Sequence, residues 1–418
     1  MVCIATGESD PTKPSLLLNR KEIQVVAKRS HKKIRILYLQ SSSDLYGSGY
    51  VILSLIKSLD RNRFTPIIIL PMEGELCDEF RKAGVRVVIH DLSVLRREYF
   101  SPSGSIGFIL KFLLSLPYLT LFCLRNRIDI IHTNTAAIWS GGVVAWLLRK
   151  PHIWQIMELV ERPKIGAWLM GKMVGIFSTK VFCISDAVRK HFLKYNPKHT
   201  NKFATLYHGV DLNQYDVTKT SGSAIRSALH LDADTVLITF AGRFNSWKGY
   251  DVFVKAIPLI LDTFSKDIKI HFLLLGSCWP GLEHFLEELK TQIKKIPNNE
   301  RYITLKGFQE NLPEWLAATD IFLLPSKRPE PNATVLIAAM AMKKPVIGTN
   351  IGGTPETILD GETGFLIPPD DPLALAEKIK LLYEDSNLRK IMGENGFERI
   401  KSKFTLQNYC EKIVNAYY

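Results

Sequence analysis

Cross-links that would hold a small or secreted fold together are missing from this 418-residue sequence. Its six cysteines form no C-x-x-C pair, and no cysteine cluster has histidines at zinc-ligand spacing. The pattern excludes a disulfide scaffold and predicts a reducing compartment without a structural metal. Residues 1–33 also lack the apolar run of about 7 to 15 residues that marks a secretory signal, so we interpret them as a mobile basic tail.

Negative charge is scarce in the first half of the chain. Residues 1–210 carry 30 Lys and Arg against 15 Asp and Glu, whereas residues 211–418 carry 24 against 26. A half this basic indicates an anionic partner, either a lipid surface or an acidic substrate, although solubility alone also explains the imbalance. Nucleic acid is not among the expected partners.

A chain of this length exceeds the size at which a single core stops growing, so two domains are expected. Short apolar runs alternate with helix-length segments, as they do when buried parallel strands are joined by helices. The runs are IRILYL, TPIIIL, VRVVIH, IDIIHT and VFCIS in the first half, then VLITFAG, IHFLLLG, IFLLP and PVIGT. The sequence therefore predicts an α/β protein with two doubly wound, Rossmann-like parallel-sheet domains facing across a cleft.

The expected first domain spans residues 34–212 and the second spans residues 213–395, with a linker near residues 206–216. A C-terminal helix at residues 396–418 is expected to pack back on the first domain. In open α/β sheets, ligands bind outside the carboxyl ends of the strands, so the cleft between the domains is the expected site.

One apolar segment, SIGFILKFLLSLPYLTLFCL at residues 105–124, departs from this pattern. Its length is about that of a membrane span, but Lys111 and Pro117 fall inside it and arginines flank both ends. Three interpretations are open: a buried amphipathic helix of the first domain, an interfacial helix on an anionic membrane, or a true span. The span is the weakest of these, because it would separate strands of one sheet.

Loops at strand ends carry residues suited to a nucleotide. Gly47, Ser48 and Gly49 follow the first strand and open a helix, where backbone N–H groups can approach an oxyanion. Arg243 and Lys248 follow a strand of the second half, and an Arg fork with a Lys point charge suits a pyrophosphate. Singly, each loop also has a structural explanation, as a glycine turn or as solvated cations.

Three further loops follow strands at the same edge of the second domain. One contains Gly307 and Phe308, a second places Glu330 just before a helix, and a third is the glycine pair of IGTNIGGTPE. A carboxylate accepts hydrogen bonds from sugar hydroxyls, while the helix dipole behind it favours phosphate. Their common position therefore indicates one site for an anion and a sugar.

In order and spacing, these motifs resemble those of the retaining glycosyltransferases of family 4, which have the two-Rossmann GT-B architecture. The likeness covers about residues 34–400. It rests on GRFNSWKG, GF, PSKRPEP with AMAMKKPVIGT, GGTPE and GETGFLI, and in the first half on SDAVRKHF and LYHGVDLNQY.

The resemblance implies roles for single residues. Arg243 and Lys248 would clamp the donor diphosphate, and Glu330 would contact the transferred sugar, so we predict these three as catalytic. The Gly307 loop would hold the nucleobase, and the amides that begin the next helix would bind phosphate oxygens. The residues predicted to bind the donor are Gly47, Ser48, Gly49, Gly242, Gly307, Phe308, Asn332, Ala333, Thr334, Val335 and Ala338.

Three departures from the family pattern affect four positions. Ala338 stands where the family usually has a second glutamate that grips the ribose, which should weaken donor binding by about 1 to 3 kcal/mol. Met157 stands near the position of a family histidine or arginine, and Asn332 and Ala333 replace a phenylalanine–glycine pair. Reduced activity and lost activity both fit these departures, and the alanine at 338 fits a natural or an introduced change.

Two other groups stand out by their position in the sequence. His132 ends a first-domain strand, so we predict it as a fourth catalytic residue that faces the cleft, with a satisfied strand-end histidine as the alternative. Asp232 and Asp234 form a D-x-D pair of the kind that holds a metal in other glycosyltransferases. Because the pair precedes its strand, we interpret it as a turn and expect no metal and no cofactor.

The sequence thus predicts a metal-independent, retaining hexosyltransferase that uses a nucleotide diphospho-sugar. The expected acceptor is a lipid-linked or cell-envelope saccharide, and the expected location is the cytoplasm, peripheral on the inner face of the membrane. Two alternatives are kept: a non-catalytic GT-B subunit or scaffold, and a nucleotide-sugar epimerase of the same architecture.

Overall fold

The computed structural model describes residues 33–45, 47–264, 268–279 and 281–418. The predicted basic tail at residues 1–33 lies outside the described residues, apart from Lys33. The strands are β1 (Ile34–Leu39), β2 (Phe64–Leu70), β3 (Arg86–Ile89), β4 (Ile130–Thr133), β5 (His152–Ile156), β6 (Lys180–Cys183), β7 (Phe203–Thr205), β8 (Val236–Ala241), β9 (Ile270–Leu275), β10 (Ile303–Lys306), β11 (Ile321–Leu324), β12 (Val346–Thr349) and β13 (Gly364–Ile367).

Helices connect these strands on both faces of each sheet. They are α1 (Gly47–Ser58), α2 (Glu75–Lys82), α3 (Pro102–Arg125), α4 (Ser140–Leu147), α5 (Lys164–Phe177), α6 (Asp186–Leu193), α7 (Ser223–Ala228), α8 (Tyr250–Thr263), α9 (His284–Lys294), α10 (Asn299–Tyr302), α11 (Leu312–Ala318), α12 (Thr334–Ala341), α13 (Thr354–Thr357), α14 (Pro372–Glu384), α15 (Ser386–Lys403) and α16 (Leu406–Asn415). Two 3₁₀ helices, Arg97–Phe100 and Pro197–Lys202, complete the described elements.

The two sheets share one topology. The first has seven parallel strands in the order β3-β2-β1-β4-β5-β6-β7, and the second has six in the order β10-β9-β8-β11-β12-β13. In both sheets the first strand along the chain is central and the order reverses beside it, which leaves a crevice at the carboxyl ends. The predicted α/β class with two doubly wound domains is therefore confirmed.

Side chains alternate between the two faces of each sheet. In β1, Ile36 and Tyr38 pack in one apolar cluster of the first domain, whereas Leu37 and Leu39 pack in another. Both sets are buried because helices cover both faces, which is why the strand reads as a continuous apolar run.

Strand β5 was not among the predicted runs, because polar residues interrupt it. His152 is buried with its Nε2 2.9 Å from Thr133 Oγ1, and the Gln155 amide oxygen accepts from Tyr409 Oη at 2.8 Å. The His152 ring and the Gln155 amide oxygen thus have partners inside the protein, so the strand is tolerated in the middle of the sheet.

The predicted C-terminal helix at 396–418 is two helices. Helix α15 continues to Lys403 and packs in the second domain, whereas α16 packs in the first-domain cluster that contains Tyr38. The break lies at Phe404, which is buried in the second-domain core, and at Thr405, whose Oγ1 caps α16. At this crossing, the Val210 N–H donates to the Phe404 carbonyl at 3.0 Å.

Helix α3 contains the apolar segment singled out in the sequence. One face of it, with Phe108, Leu119 and Phe122, is buried in the first domain, and Phe108 packs edge-on against Trp139 at 5.3 Å. Within the described residues it is the one helix long and apolar enough to cross a membrane, yet only 28% of its apolar window is buried in the protein. Because β3 and β4 on either side of it belong to one sheet, the helix is part of the domain.

Candidate active site

Lys248 and Glu330 form an ion pair at the carboxyl edge of the second sheet. Lys248 Nζ lies 2.8 Å from Glu330 Oε2, and Ser326 Oγ donates to Oε1 at 2.8 Å. Glu330 follows β11 and is 6% exposed, so both of its carboxylate oxygens are held by protein groups. This arrangement combines an ammonium group with a fixed carboxylate at the strand ends.

Asn245 shapes the loop that carries Lys248. Its Oδ1 accepts from the N–H groups of Trp247 and Lys248 at 3.1 and 3.0 Å. The next residue, Gly249, has φ of +77°, and a Cβ there would collide with the carbonyl oxygen of Pro325. The loop after β8 therefore lies directly against the segment after β11, which brings Lys248 to Glu330.

Arg243 lies on the same loop, beside two tryptophans. Its guanidinium carbon is 4.6 Å from the centre of the Trp279 ring, and that ring packs edge-on against Trp247 at 6.1 Å. The attraction between a cation and an indole face orients the guanidinium at the strand end. Gly242, just before it, donates to the Leu275 carbonyl at 2.9 Å and so extends the strand pairing.

The glycine loop after β12 reaches Glu330 through the main chain. The Gly353 N–H donates to the Glu330 carbonyl at 2.7 Å, and Gly352 pairs with Glu330 as an isolated parallel bridge. Gly352 has φ of +63°, and a Cβ there would collide with the backbone of Glu330. The two glycines thus fix the position of the carboxylate-bearing residue.

The segment that begins helix α12 meets the first domain. Asn332 Nδ2 donates to the Ile184 carbonyl at 3.3 Å, and Thr334 Oγ1 lies 3.2 Å from His208 Nε2. Burial lowers the pKa of His208 to about 4, so this histidine is neutral near pH 7. The contacts hold the start of α12 at the junction of the two domains.

Three further predicted donor residues lie on this helix or beside it. Ala333 precedes the helix and offers no side-chain cap to its first N–H groups, which include that of Val335. Ala338 is fully buried in the second-domain core, so its methyl group makes no polar contact. The ribose contact that the resemblance assigns to a glutamate at this position cannot come from this side chain.

Gly307 and Phe308 follow β10, at the same edge of the second sheet. A Cβ at Gly307 would meet no atom within 4 Å, and the Phe308 ring is 53% exposed. An open glycine beside an exposed aromatic ring leaves room for a planar group to stack at this strand end.

The glycine loop of the first domain joins a neutral polar network. Helix α1 begins at Gly47, and Gln40 Nε2 donates to Ser48 Oγ at 3.3 Å. Asn134 Nδ2 donates to the Gln40 amide oxygen at 2.8 Å. Gly49 is buried, and a Cβ there would collide with the backbone that precedes the helix. These groups stand at the carboxyl ends of β1 and β4.

His132 does not face the cleft as predicted. It is fully buried, and its Nδ1 lies 2.7 Å from Tyr417 Oη, which in turn lies 2.9 Å from Tyr38 Oη. Burial lowers the pKa of His132 to about 3, so the ring stays neutral near pH 7. The reason for the difference is the segment after helix α16, which places Tyr417 against this strand and which the apolar pattern near His132 does not reveal.

Glu158 is a first-domain carboxylate to which the sequence analysis gave no role. Its Oε1 accepts from Thr135 Oγ1 at 2.6 Å and from the Ala136 N–H at 2.5 Å, and its Oε2 accepts from the Met157 N–H at 3.0 Å. Burial raises its pKa, while these hydrogen bonds act in the opposite direction. Glu158 thus ties the loops after β4 and β5 together at the cleft edge.

Glu356 joins the two domains, although in the sequence it stands out only as the last residue of the GGTPE motif. Its carboxylate accepts from the N–H groups of Asp186 and Ala187 at 2.6 and 2.7 Å, and from Tyr207 Oη at 2.9 Å. Those two N–H groups begin helix α6 of the first domain, where the dipole favours an anion. Arg399 Nη2 donates to the Glu356 carbonyl at 2.6 Å, which anchors the turn in the second domain.

The D-x-D pair lies at the opposite edge of the second sheet, before β8. Lys269 Nζ is 2.7 Å from Asp234 and 3.7 Å from Asp232, and all three side chains are at least half exposed. Within the described ranges, no group of three or more His, Cys, Asp or Glu side chains could hold a metal ion. The pair is therefore a surface turn with a neighbouring lysine.

Two Rossmann-like domains, with cations, a carboxylate and a helix start at their carboxyl ends, define the GT-B class of architecture. Residues 223–399 match the sequence profile described as glycosyl transferases group 1, and residues 46–214 match that of glycosyltransferase family 4. The chain belongs to the family 4 glycosyltransferases, and it is a GT-B enzyme that transfers glycosyl groups.

Known proteins support this assignment. The capsular polysaccharide biosynthesis glycosyltransferase CapM of Staphylococcus aureus is 27% identical over 66% of this chain and 73% of its own length. Spore coat protein SA of Bacillus subtilis is 27% identical over 70% and 79%. Anabaena Alr3699/HepE, solved with UDP and glucose, superposes with a TM-score of 0.77 at 20% identity over 92% of this chain and 99% of its own.

Proposed function

We propose that this protein transfers a hexosyl unit from a nucleotide diphospho-sugar to an acceptor hydroxyl with retention of anomeric configuration. The observation that carries the proposal is the group of Lys248, Glu330 and Ser326 at the strand ends, with Arg243 on the adjoining loop. It offers cations for a diphosphate and a fixed carboxylate for sugar hydroxyls. The structures of Anabaena Alr3699/HepE with UDP and with UDP-glucose support this donor class.

Each group has a part in the transfer. Lys248 and Arg243 neutralise the diphosphate as its bond to the anomeric carbon breaks, so a metal is not needed for that charge. Glu330, held by Ser326, orients the sugar through its hydroxyls. The acceptor oxygen bonds to the anomeric carbon on the face that the leaving group departs from, and its proton passes to the departing phosphate.

Closure of the domains completes this site. Glu356, Asn332 and Thr334 of the second domain all contact the first domain near the start of helix α12. Closure excludes water from the donor and brings the acceptor side of the cleft to the sugar. Gly47 to Gly49 border the donor from the first domain in this arrangement.

The acceptor in this proposal is a lipid-linked or cell-envelope saccharide, and the enzyme acts in the cytoplasm at the inner face of the membrane. The names of CapM, a capsular polysaccharide enzyme, and of WaaB, a lipopolysaccharide outer core galactosyltransferase with a TM-score of 0.68 and 13% identity, support this acceptor class. The excess of basic residues in the first half of the chain supports binding to an anionic membrane surface.

The experiment that tests the proposal is the release of nucleoside diphosphate from a panel of nucleotide sugars. Three proteins are compared: the chain itself, Ala338→Glu and Lys248→Ala, each with its melting temperature recorded. Donor-specific release by the chain, lost in Lys248→Ala, supports the proposal and identifies the sugar. Release only by Ala338→Glu means that the alanine disables the site, and silence from all three folded proteins favours a non-catalytic subunit.

A further inference from the structure

Three neighbouring helices of the first domain expose large apolar side chains. On α3 the stripe consists of side chains three, four or seven positions apart, with exposed fractions of 46% to 72%: Ile106, Ile109, Leu110, Leu113, Leu114, Leu121 and Leu124. From Ile106 to Leu124 it runs about 27 Å along the helix. The opposite side of α3 is buried in the domain, so the helix is apolar on both faces.

The two helices that follow continue this surface. Trp146 and Leu147 of α4 are 62% and 52% exposed, and Ile165, Trp168 and Ile176 of α5 are 60%, 45% and 51% exposed. Helix α3 packs against α4, and α4 packs against α5. The Trp146 ring also meets the Phe177 ring edge-on at 5.9 Å, which links the last two helices. We call the exposed residues of these three helices the apolar face.

Charge on these helices has one sign. The sequences of α3, α4 and α5 contain no Asp or Glu, whereas Arg125, Lys164 and Lys172 lie on them, together with Lys111, which pairs with Asp91 beside α3 at 3.0 Å. Arg127 and Arg149, both exposed, follow the ends of α3 and α4. A second copy of the chain on this face would bring cation against cation, whereas anionic lipid headgroups complement it.

The topology carries the apolar face to the rim of the cleft. Helices α4 and α5 follow parallel strands β4 and β5, so both begin on the side of the sheet where the strands end. The Phe100 ring, just before α3, lies so close to Gly166 of α5 that a Cβ there would collide with it. Helix α3 therefore begins beside α5. One end of the face therefore lies at the carboxyl edge of the first sheet, which borders the cleft.

We propose that the apolar face seats this domain on an anionic bilayer, with Ile106, Ile165 and Trp168 at the cleft end and Trp146 at the far end. Amphipathic helices lie in the interface with leucines and tryptophans in the acyl boundary and cations at the headgroups. This inference rests on the peripheral location in the proposed function and names the surface that would contact the membrane. It would present lipid-borne acceptors at the rim of the cleft.

The test is flotation with vesicles, without nucleotide sugar, so that its outcome does not depend on transfer. Vesicles of phosphatidylcholine alone are compared with vesicles that also contain phosphatidylglycerol. The test variant is Leu110→Asn/Leu114→Asn/Trp146→Ser, and the matched control is Leu373→Asn/Ile391→Asn in the second domain, where both side chains are similarly exposed. Circular dichroism checks that both variants fold.

We expect the chain and the control to float with the anionic vesicles, and the bound fraction of the test variant to fall about tenfold. Equal flotation of the test variant and the chain would overturn the proposal, as would recovery of the chain in the vesicle-free fraction. A lipid-free dimer of the chain that the test variant abolishes would also overturn it, because the face would then be an interface between copies. Loss of nucleoside diphosphate release with flotation intact would instead count against the proposed function alone.

Discussion

The two sides of the cleft have the same strand order and opposite chemistry. The second domain offers the Lys248–Glu330 ion pair and Arg243 at its strand ends. The first domain offers a neutral network of Gln40, Ser48 and Asn134, together with Glu158, whose oxygens are occupied by its own loops. A shared fold therefore says little about which half holds a charged ligand; the loops after the strands decide it.

The largest effect should come from the charged side. Glu330→Gln removes the carboxylate that faces Lys248 and leaves a partly buried ammonium group without its counter-ion, so nucleoside diphosphate release should fall about 100-fold. Steady-state assays measure this fall. Asp320→Asn is the matched control, because it breaks the Arg226–Asp320 pair of the same domain outside the site. An equal loss in both variants would mean that stability, and not the site, is responsible.

A smaller effect should follow at the junction between the two sides. Glu356→Gln leaves one acceptor oxygen for the N–H groups of Asp186 and Ala187, so closure weakens and kcat/KM should fall about tenfold. Small-angle scattering with nucleoside diphosphate should show a less compact particle. Glu362→Gln, an exposed change in the turn that follows α13, is the control and should match the unaltered chain. An unchanged kcat/KM for Glu356→Gln would contradict a role for Glu356 in domain closure.

Acidification should destabilise the first domain more than the second. Burial lowers the pKa of His132 to about 3 and of His152 to about 4, both below their value in an unfolded chain. The unfolded chain therefore binds more protons between about pH 6.5 and pH 4, and each group costs stability as pH falls through that window, about 1.4 kcal/mol per unit. Above about pH 6.5 both histidines are neutral in the folded and in the unfolded chain, so this loss of stability is absent.

Urea titrations at pH 7 and pH 5 measure this loss, and hydrogen exchange assigns it to a domain. We expect the first domain to weaken most. His132→Gln should reduce the pH dependence, whereas His284→Gln, an exposed change in the second domain, should leave it as it is. A pH dependence that His132→Gln does not alter would contradict the assignment to this histidine.

The smallest effect is expected at the D-x-D pair. Asp232→Asn/Asp234→Asn removes only exposed pairs with Lys269, so activity should change less than about twofold. A chelator should likewise leave nucleoside diphosphate release unchanged. Loss of activity in either case would place a metal in the reaction and revise the role of Lys248.

The sequence predicted the parts of the molecule that local pattern controls. The strands with unbroken apolar runs, such as β1 and β8, were placed to within a residue or two, because burial on both faces leaves a continuous signal. The loop cations and Glu330 were predicted as site residues because they follow such strands in a known order, and Lys248 and Glu330 do lie together, 2.8 Å apart.

What the sequence missed depends on residues far apart along the chain. His132 was expected in the cleft, but Tyr417, 285 positions later, covers it. Glu356 was visible only as part of a motif, since its partners lie in helix α6 of the other domain. Ser326 and Asn245 have no pattern of their own, and their roles come from hydrogen bonds to a neighbouring carboxylate and loop.

The return of the chain to its first domain bears on how the protein is made. Tyr409, Ile413 and Tyr417 fill the core around β1, yet they are synthesised after the whole of the second domain. The second domain, complete by Phe404, can fold during synthesis, while the first waits with part of its core open. A chain that stops before α16 should thus yield a folded second domain and a first domain with an incomplete core, which chaperones and proteases would recognise.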